Sequence, residues 1–284
     1  MKRAVALLLL ALMLLPALTA CDEELPPLSD GEIRVCFIDV GEGDCALIQT
    51  ASAAVLVDTG EADDALTARI LDVLADARVE KLDCLILTHP HSDHVGGTPG
   101  VLAEIPVGEC LMPRAVDENE AFGNALDALL AHGVRARIAE SGKSFTYGDL
   151  TFDVLSPGPD SDADDPNDLS AILRFTYGEA TLLMMADVGT GVEEDLLQRY
   201  SAEELSATLL KVGHHGADTS SSYAFLSAVS PTYAVISVGS ENAYGHPHDE
   251  TLRKLEAVGV AVYRTDRRGT IIFTGTREGF TLPE

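Results

Sequence analysis

The segment Thr88-His89-Pro90-His91-Ser92-Asp93-His94 constrains this chain most, because it sets four metal-binding side chains within six residues. It follows the apolar, β-branched run 82–88, which reads as a buried strand. In extended backbone, residues two apart point to the same side, so His89 and His91 can share one ion. After a turn, Asp93 and His94 can reach a second. Neutral imidazoles suit Zn²⁺, Mn²⁺ or Fe²⁺, and a carboxylate adds a hard ligand. Pro90 stiffens the segment, and Gly96-Gly97 allows close backbone approach at the turn that follows. Three of the chain's eight histidines are here, and four others also gather, as His214-His215 and as His246 with His248. His132 stands apart, closing an amphipathic stretch before Gly133, where it reads as a helix C-terminal residue.

Around this segment two textures alternate. Short apolar runs at 33–40, 45–49, 54–58, 135–139, 150–155, 170–177, 181–186, 208–212, 233–238, 261–264 and 270–274 predict strands. Apolar positions at helical spacing predict helices over 63–77, 124–132, 192–200, 222–227 and 249–258. Strands interrupted by helices within one uninterrupted stretch predict two sheets with helices outside them. The polar, acidic stretch 156–168, rich in Pro, Gly and Asp, reads as a loop long enough to be functional or mobile.

At the N-terminus, Lys2 and Arg3 precede an apolar run over 4–18, the shape of a secretory signal. The run ends in Leu18-Thr19-Ala20-Cys21, which resembles a bacterial lipobox. Residues 1–20 are therefore expected to be a lipoprotein signal peptide, with the lipid on Cys21 and the protein held at the outer face of the cytoplasmic membrane or on the periplasmic side. Residues 21–32, acidic and containing Pro26-Pro27, read as a tether, and 33–284 as one domain. The net charge of -27 argues against tight nonspecific binding of nucleic acid. No strong basic surface is evident; the one basic stretch holds Arg253, Lys254, Arg264, Arg267 and Arg268. Cys36, Cys45, Cys84 and Cys110 have no metal-like spacing and read as buried free thiols.

The HxHxDH segment resembles the signature of the metallo-β-lactamase superfamily, and the chain is most similar to the hydrolase-like domain of ComEC-type competence proteins. Phe37-Ile38-Asp39-Val40-Gly41-Glu42-Gly43-Asp44 looks like that family's opening strand and turn, with Glu42 in place of the usual glutamine. Val57-Asp58-Thr59-Gly60, Lys211-Val212-Gly213-His214-His215-Gly216 and Tyr244-Gly245-His246-Pro247-His248 match further motifs. The resemblance implies an α/β fold, a four-layer αββα sandwich of two mixed sheets with helices outside, and a site for two divalent metal ions. It implies His89, His91, Asp93 and His94 as ligands, with Asp187, at the end of the run 181–186, bridging the ions. The last ligand falls in His214-His215: His215 is preferred for the metal, and His214 for substrate or for protonating a leaving group. Asp39, Asp44 and Asp58 read as turn or ligand-orienting carboxylates.

The chain departs from the wider superfamily in one respect. Between His94 and Asp187 the only histidine is His132, and the expected ligand position reads Asn167-Asp168-Leu169-Ser170. Asn167 and Ser170 are expected to face substrate, and the His89–His91 ion to have fewer protein ligands, with water or Asn167 completing it. His246 and His248 are expected to bind phosphate or, in the case of His248, to donate a proton; Asp93 is also expected to take part in catalysis. The chemistry expected is hydrolysis of a phosphoester, with DNA or a nucleotide as candidate substrate. Two alternatives stand beside it: a carboxyl hydrolase acting on a lactone or thioester, and a non-catalytic, lipid-anchored component of competence machinery that binds metal or DNA.

Overall fold

The computed structural model describes residues 25–281; the expected signal peptide and Cys21 lie outside the described residues. In chain order the strands are β1 (Glu32–Phe37), β2 (Ala46–Thr50), β3 (Ala54–Val57), β4 (Leu82–Ile86), β5 (Val107–Met112) and β6 (Arg135–Ile138). There follow β7 (Ser144–Tyr147), β8 (Leu150–Ser156), β9 (Ile172–Tyr177), β10 (Ala180–Met184), β11 (Leu209–Lys211), β12 (Tyr233–Ile236) and β13 (Ala261–Arg264). Last come β14 (Ile271–Thr276) and β15 (Gly279–Phe280). They form an eight-stranded sheet, β15-β14-β1-β2-β3-β4-β5-β6, and a seven-stranded sheet, β13-β12-β11-β10-β9-β8-β7. Both are mixed: β3 to β6 and β10 to β13 run parallel, and the remaining neighbours antiparallel.

The period of two along each strand decides the layers. On β1, Val35 and Phe37 turn inward and join Phe152, Phe175, Leu182 and Met184 of the second sheet in one core. Cys36 and the following Ile38 turn outward and pack with Ile70, Leu74, Val101 and Phe122 on helices Asp64–Asp76, Thr98–Glu104 and Glu120–Ala131. The outer face of the second sheet buries Leu183 and Leu210 against Leu196, Phe225, Leu226 and Leu255 on helices Thr190–Arg199, Tyr223–Val229 and Asp249–Ala257. Strands covered on both faces are continuously apolar, which is why the runs were legible. The result is the expected four-layer αββα sandwich.

Several elements differ from expectation, among them helix Thr98–Glu104, which was not anticipated. The helix expected over 124–132 starts earlier, at Glu120, because the Asn119 side chain caps it by accepting from Phe122 N. His132 is its C-terminal residue and is exposed. Strand β5 was not anticipated, because Gly108 and Glu109 interrupt its apolar pattern; Glu109 is tolerated there because Arg135, Arg137 and the Tyr147 hydroxyl all donate to it. Strand β7 was also missed. The four described cysteines are buried and free, as expected.

One ion pair ties the sheets together at the end where the parallel strands finish. Lys211, at the end of β11, is 1% exposed, and its Nζ lies 2.8 Å from Asp44 Oδ2 on the β1–β2 turn. It also donates to the Val212 carbonyl. Removing one partner of such a pair leaves a buried charge uncompensated. Lys211→Met is predicted to cost about 3–5 kcal/mol in urea unfolding. Adding Asp44→Asn should recover much of that loss, and a single variant as stable as the parent would contradict the clamp.

Candidate metal centre

Every residue of the site comes from a carboxyl end of a strand or the loop behind it, the place where parallel sheets leave a crevice. β3 delivers Asp58 and β4 delivers the His89–His94 segment. β10 delivers Asp187, β11 delivers His214-His215, and β12 leads to Ser237 and the loop that carries His246 and His248. Close approach between loops needs a glycine at one point. Gly43 has φ +109, and a Cβ there would stand 2.1 Å from the Asp93 carbonyl oxygen. Asp58, Ala186, His214 and His215 also have positive φ, a conformation that non-glycine residues adopt at a cost. All four lie at the site.

Asp58 organises the imidazoles. Fully buried, it accepts from Thr88 N and Thr88 Oγ1 at 2.7 Å each and from His94 Nδ1 at 2.9 Å. Thr88 Oγ1, having given its proton to Asp58, accepts from His89 Nδ1 at 3.2 Å. His89 therefore presents its unprotonated Nε2, 3.1 Å from His91 Nδ1. Two ring nitrogens turned on each other at that distance suit a shared cation. The outer nitrogen of His91 lies 3.8 Å from Asp117.

The second half of the site is more complete. Asp93, His94, Asp187 and His215 bring ligand atoms within 4.8 Å of one another. His215 Nε2 lies 3.1 Å from Asp187 Oδ2 and 3.4 Å from Asp93 Oδ2, and His94 Nε2 lies 3.4 Å from Asp187 Oδ2. His215 Nδ1 donates to the Ser237 carbonyl, as His94 Nδ1 does to Asp58, so both Nε2 atoms face the centre. These two atoms and Asp187 Oδ1 are buried without a hydrogen-bond partner. Such a donor set fits a divalent cation. Asp44, Asp58 and His94 form another close group, but there the Lys211 ammonium already supplies the positive charge.

The electrostatics agree. Burial alone would push His215 down, yet the Asp187, Asp93 and Asp44 carboxylates outweigh it and hold its pKa up at about 10. His94 is raised in the same way, against burial, by Asp187, Asp93 and Asp58. His89, without a carboxylate in contact, is lowered by burial and by the neighbouring His94. A proton on His94 and His215 does the work that a metal ion would do there.

The remaining sequence candidates separate. His214 is partly exposed, with Nε2 3.9 Å from Asp187 Oδ2, so it borders the cluster that His215 enters. His246 lies between them and Glu42, its Nδ1 buried, unpartnered and 3.6 Å from Glu42 Oε1. His248 Nδ1 accepts from Asp218 N and Nε2 donates to the Tyr244 carbonyl, so both of its ring nitrogens have backbone partners in the loop. Ala171 N donates to the Thr88 carbonyl, which sets the Asn167–Ser170 turn beside the strand end carrying His89. Asn167 Oδ1 and Ser170 Oγ are buried without partners. Sequence reasoning missed Thr88, Lys211 and the Ser237 carbonyl, whose roles exist only through contacts between distant loops.

Comparison with known proteins gives a consistent result. The sequence pattern of the Metallo-beta-lactamase superfamily matches residues 38–240. Competence protein ComA of Neisseria gonorrhoeae is 35% identical over 95% of this chain and 36% of its own length. The chain thus spans about a third of the competence-protein relatives. Exodeoxyribonuclease WalJ of Streptococcus pneumoniae is 29% identical over 52% of this chain and 51% of its own. Among solved structures, the metallo-beta-lactamase fold protein YhfI of Bacillus subtilis superposes with TM-score 0.56 at 12% identity, covering 86% of this chain and all of that one.

Two predictions follow from this geometry. Asp58→Asn should weaken metal binding about 10–100-fold, the usual effect of losing a group that orients ligands, as read by competition with a chelating dye. The second concerns pH. With its pKa raised from 6.5 to about 10, His215 stabilises the ion-free fold below about pH 6.5, and that contribution is lost as pH climbs toward 10. An ion must displace the proton, so the rise in Tm produced by Zn²⁺ should grow between pH 6 and pH 9 (roughly). A rise independent of pH would contradict the arrangement.

Proposed function

Because this chain belongs to the metallo-β-lactamase superfamily, we propose that it is an exported, lipid-anchored hydrolase that cleaves phosphodiesters. Two divalent ions, Zn²⁺ or Mn²⁺, would be held by His89, His91, Asp93, His94, Asp187 and His215. The observation that carries the metal reading is the set of buried, unpartnered atoms His94 Nε2, His215 Nε2 and Asp187 Oδ1 within one tight group. When bound, the ions supply an activated water at neutral pH and positive charge for the phosphoryl oxygens.

The chain's own residues supply the rest. Asp58 and the Ser237 carbonyl hold His94 and His215 in the ligand tautomer. Asp187 lies in reach of His94, His215 and His214, and by the family resemblance it would be the carboxylate shared between the two ions. His214 is the group positioned to give a proton to the leaving oxygen, since its ring is partly open to solvent beside the cluster. Asn167 and Ser170 supply free oxygens on the His89 side, where the protein provides fewer ligands. The phosphodiester assignment draws support from the relative named as an exodeoxyribonuclease and from the competence-protein relatives. Export and lipidation rest on Lys2-Arg3, the apolar run behind them and Cys21.

Residues 21–284, prepared without lipid and loaded with Mn²⁺ or Zn²⁺, test the proposal on three substrates in parallel: a bis-aryl phosphodiester, single-stranded DNA and a lactone. Turnover of phosphodiester that vanishes in His91→Ala and Asp187→Ala is expected. His214→Ala should instead lower kcat, by about a hundredfold, the usual size for loss of a general acid. Hydrolysis of the lactone alone would sink the phosphodiesterase reading, and metal binding with no turnover would leave a binding protein.

A further inference from the structure

A column of rings leads out of the metal centre. His246 lies over His215 with centroids 6.3 Å apart and planes 23° apart. Tyr244 lies over His246 at 5.6 Å and 20°. Exposure rises along the column: His215 is buried, the His246 side chain is 7% exposed, and Tyr244 is 71% exposed. Tyr244 thus ends the column in offset contact with His246 and with most of its ring exposed to solvent.

The loop beneath is built to hold that ring still. Asn242 Nδ2 donates to the carbonyls of Gly239 and His246, and Asn242 Oδ1 accepts from His246 N, each at 2.8 Å. The Tyr244 carbonyl accepts from His248 Nε2. Gly239 in turn packs against the backbone of Gly41 and Glu42. The Tyr244 side chain is not part of any of the three apolar cores, yet the backbone on both sides of it is held by hydrogen bonds.

Charge indicates what such a ring is for. At -27 the chain is poorly suited to gain affinity for a polyanion by neutralising phosphates. Stacking of bases on aromatic side chains needs no charge and contributes strongly per base. Building on the phosphodiesterase reading above, we infer that the outer face of Tyr244 is a stacking platform for a nucleobase of a single-stranded nucleic acid. The stacked base seats the strand so that the neighbouring phosphodiester enters the metal centre. Tyr244 is a specificity residue: it selects base-bearing strands and takes no part in the bond cleavage.

The test compares labelled oligothymidine with an abasic strand of equal length and equal charge, using the metal-loaded protein, Tyr244→Ala and Tyr244→Phe. Tyr244→Ala is expected to raise KM for oligothymidine about tenfold, to leave kcat unchanged and to leave the abasic strand unaffected. Tyr244→Phe, which keeps the ring, should behave as the parent. Fluorescence anisotropy on both strands reads binding without turnover. Tighter binding of oligothymidine that is lost in Tyr244→Ala supports the platform even if neither strand is cleaved, an outcome that would sink the phosphodiesterase reading alone. Equal binding of the two strands by the parent, or an equal effect of Tyr244→Ala on both, overturns the platform.

Discussion

A single buried carboxylate, Asp58, fixes the chemistry of both halves of the site. It holds His94 directly and His89 through the Thr88 hydroxyl, so in each ring Nδ1 is engaged and Nε2 is the nitrogen left to face the centre. Burial pushes the Asp58 carboxyl up, and the contacts with His94 and Thr88 oppose that. Its position depends in turn on the sheet. Asp58 directly follows β3, Thr88 lies just beyond β4, and those two strands are parallel neighbours. The tautomers of the imidazoles are therefore a property of strand pairing, which gives the site the rigidity of a β-sheet rather than of a loop.

The two half-sites are unequal for a physical reason. Around Asp187, two carboxylates and two imidazoles converge, and their mutual attraction for a positive charge is strong enough to keep His215 protonated far above the ordinary histidine range. Around His89 and His91 no carboxylate makes contact except the distant Asp117, and neutral side-chain oxygens stand where another ligand would be expected. An ion on the Asp187 side would therefore be held by charge, and one on the His89 side would rely more on what the first ion and the substrate bring with them.

Much of this was legible in the sequence, and the boundary between legible and hidden follows the range of the interaction. The HxHxDH segment is local, and its spacing alone announced a metal site. The doubly buried strands were visible because both of their faces must be apolar. Asp187 was visible only by resemblance, since a lone aspartate at a strand end has many uses. The Lys211–Asp44 tie and the Asp58–Thr88–His89 relay were not legible, because each joins residues that meet only when the loops assemble. The backbone partners of the two His248 nitrogens were hidden for the same reason, since they come from Asp218 and Tyr244 in separate loops. Strand β5 was hidden by Glu109, a residue made acceptable by partners from β6 and β7.

The β1–β14 pairing of the first sheet sets an order of events. β1 is hydrogen-bonded on one side to β2 and on the other to β14, with Glu32 opposite Thr276. β1, the first strand among the described residues, thus keeps one edge open until β14 has been made. An open strand edge is a template for the wrong partner, and a nascent chain exposes it throughout synthesis. The molecule cannot close its first sheet as it is made, segment by segment. It closes only when β14 docks beside β1, so the sheet that carries Asp58 and the His89–His94 segment is completed by a strand from the far side of the fold.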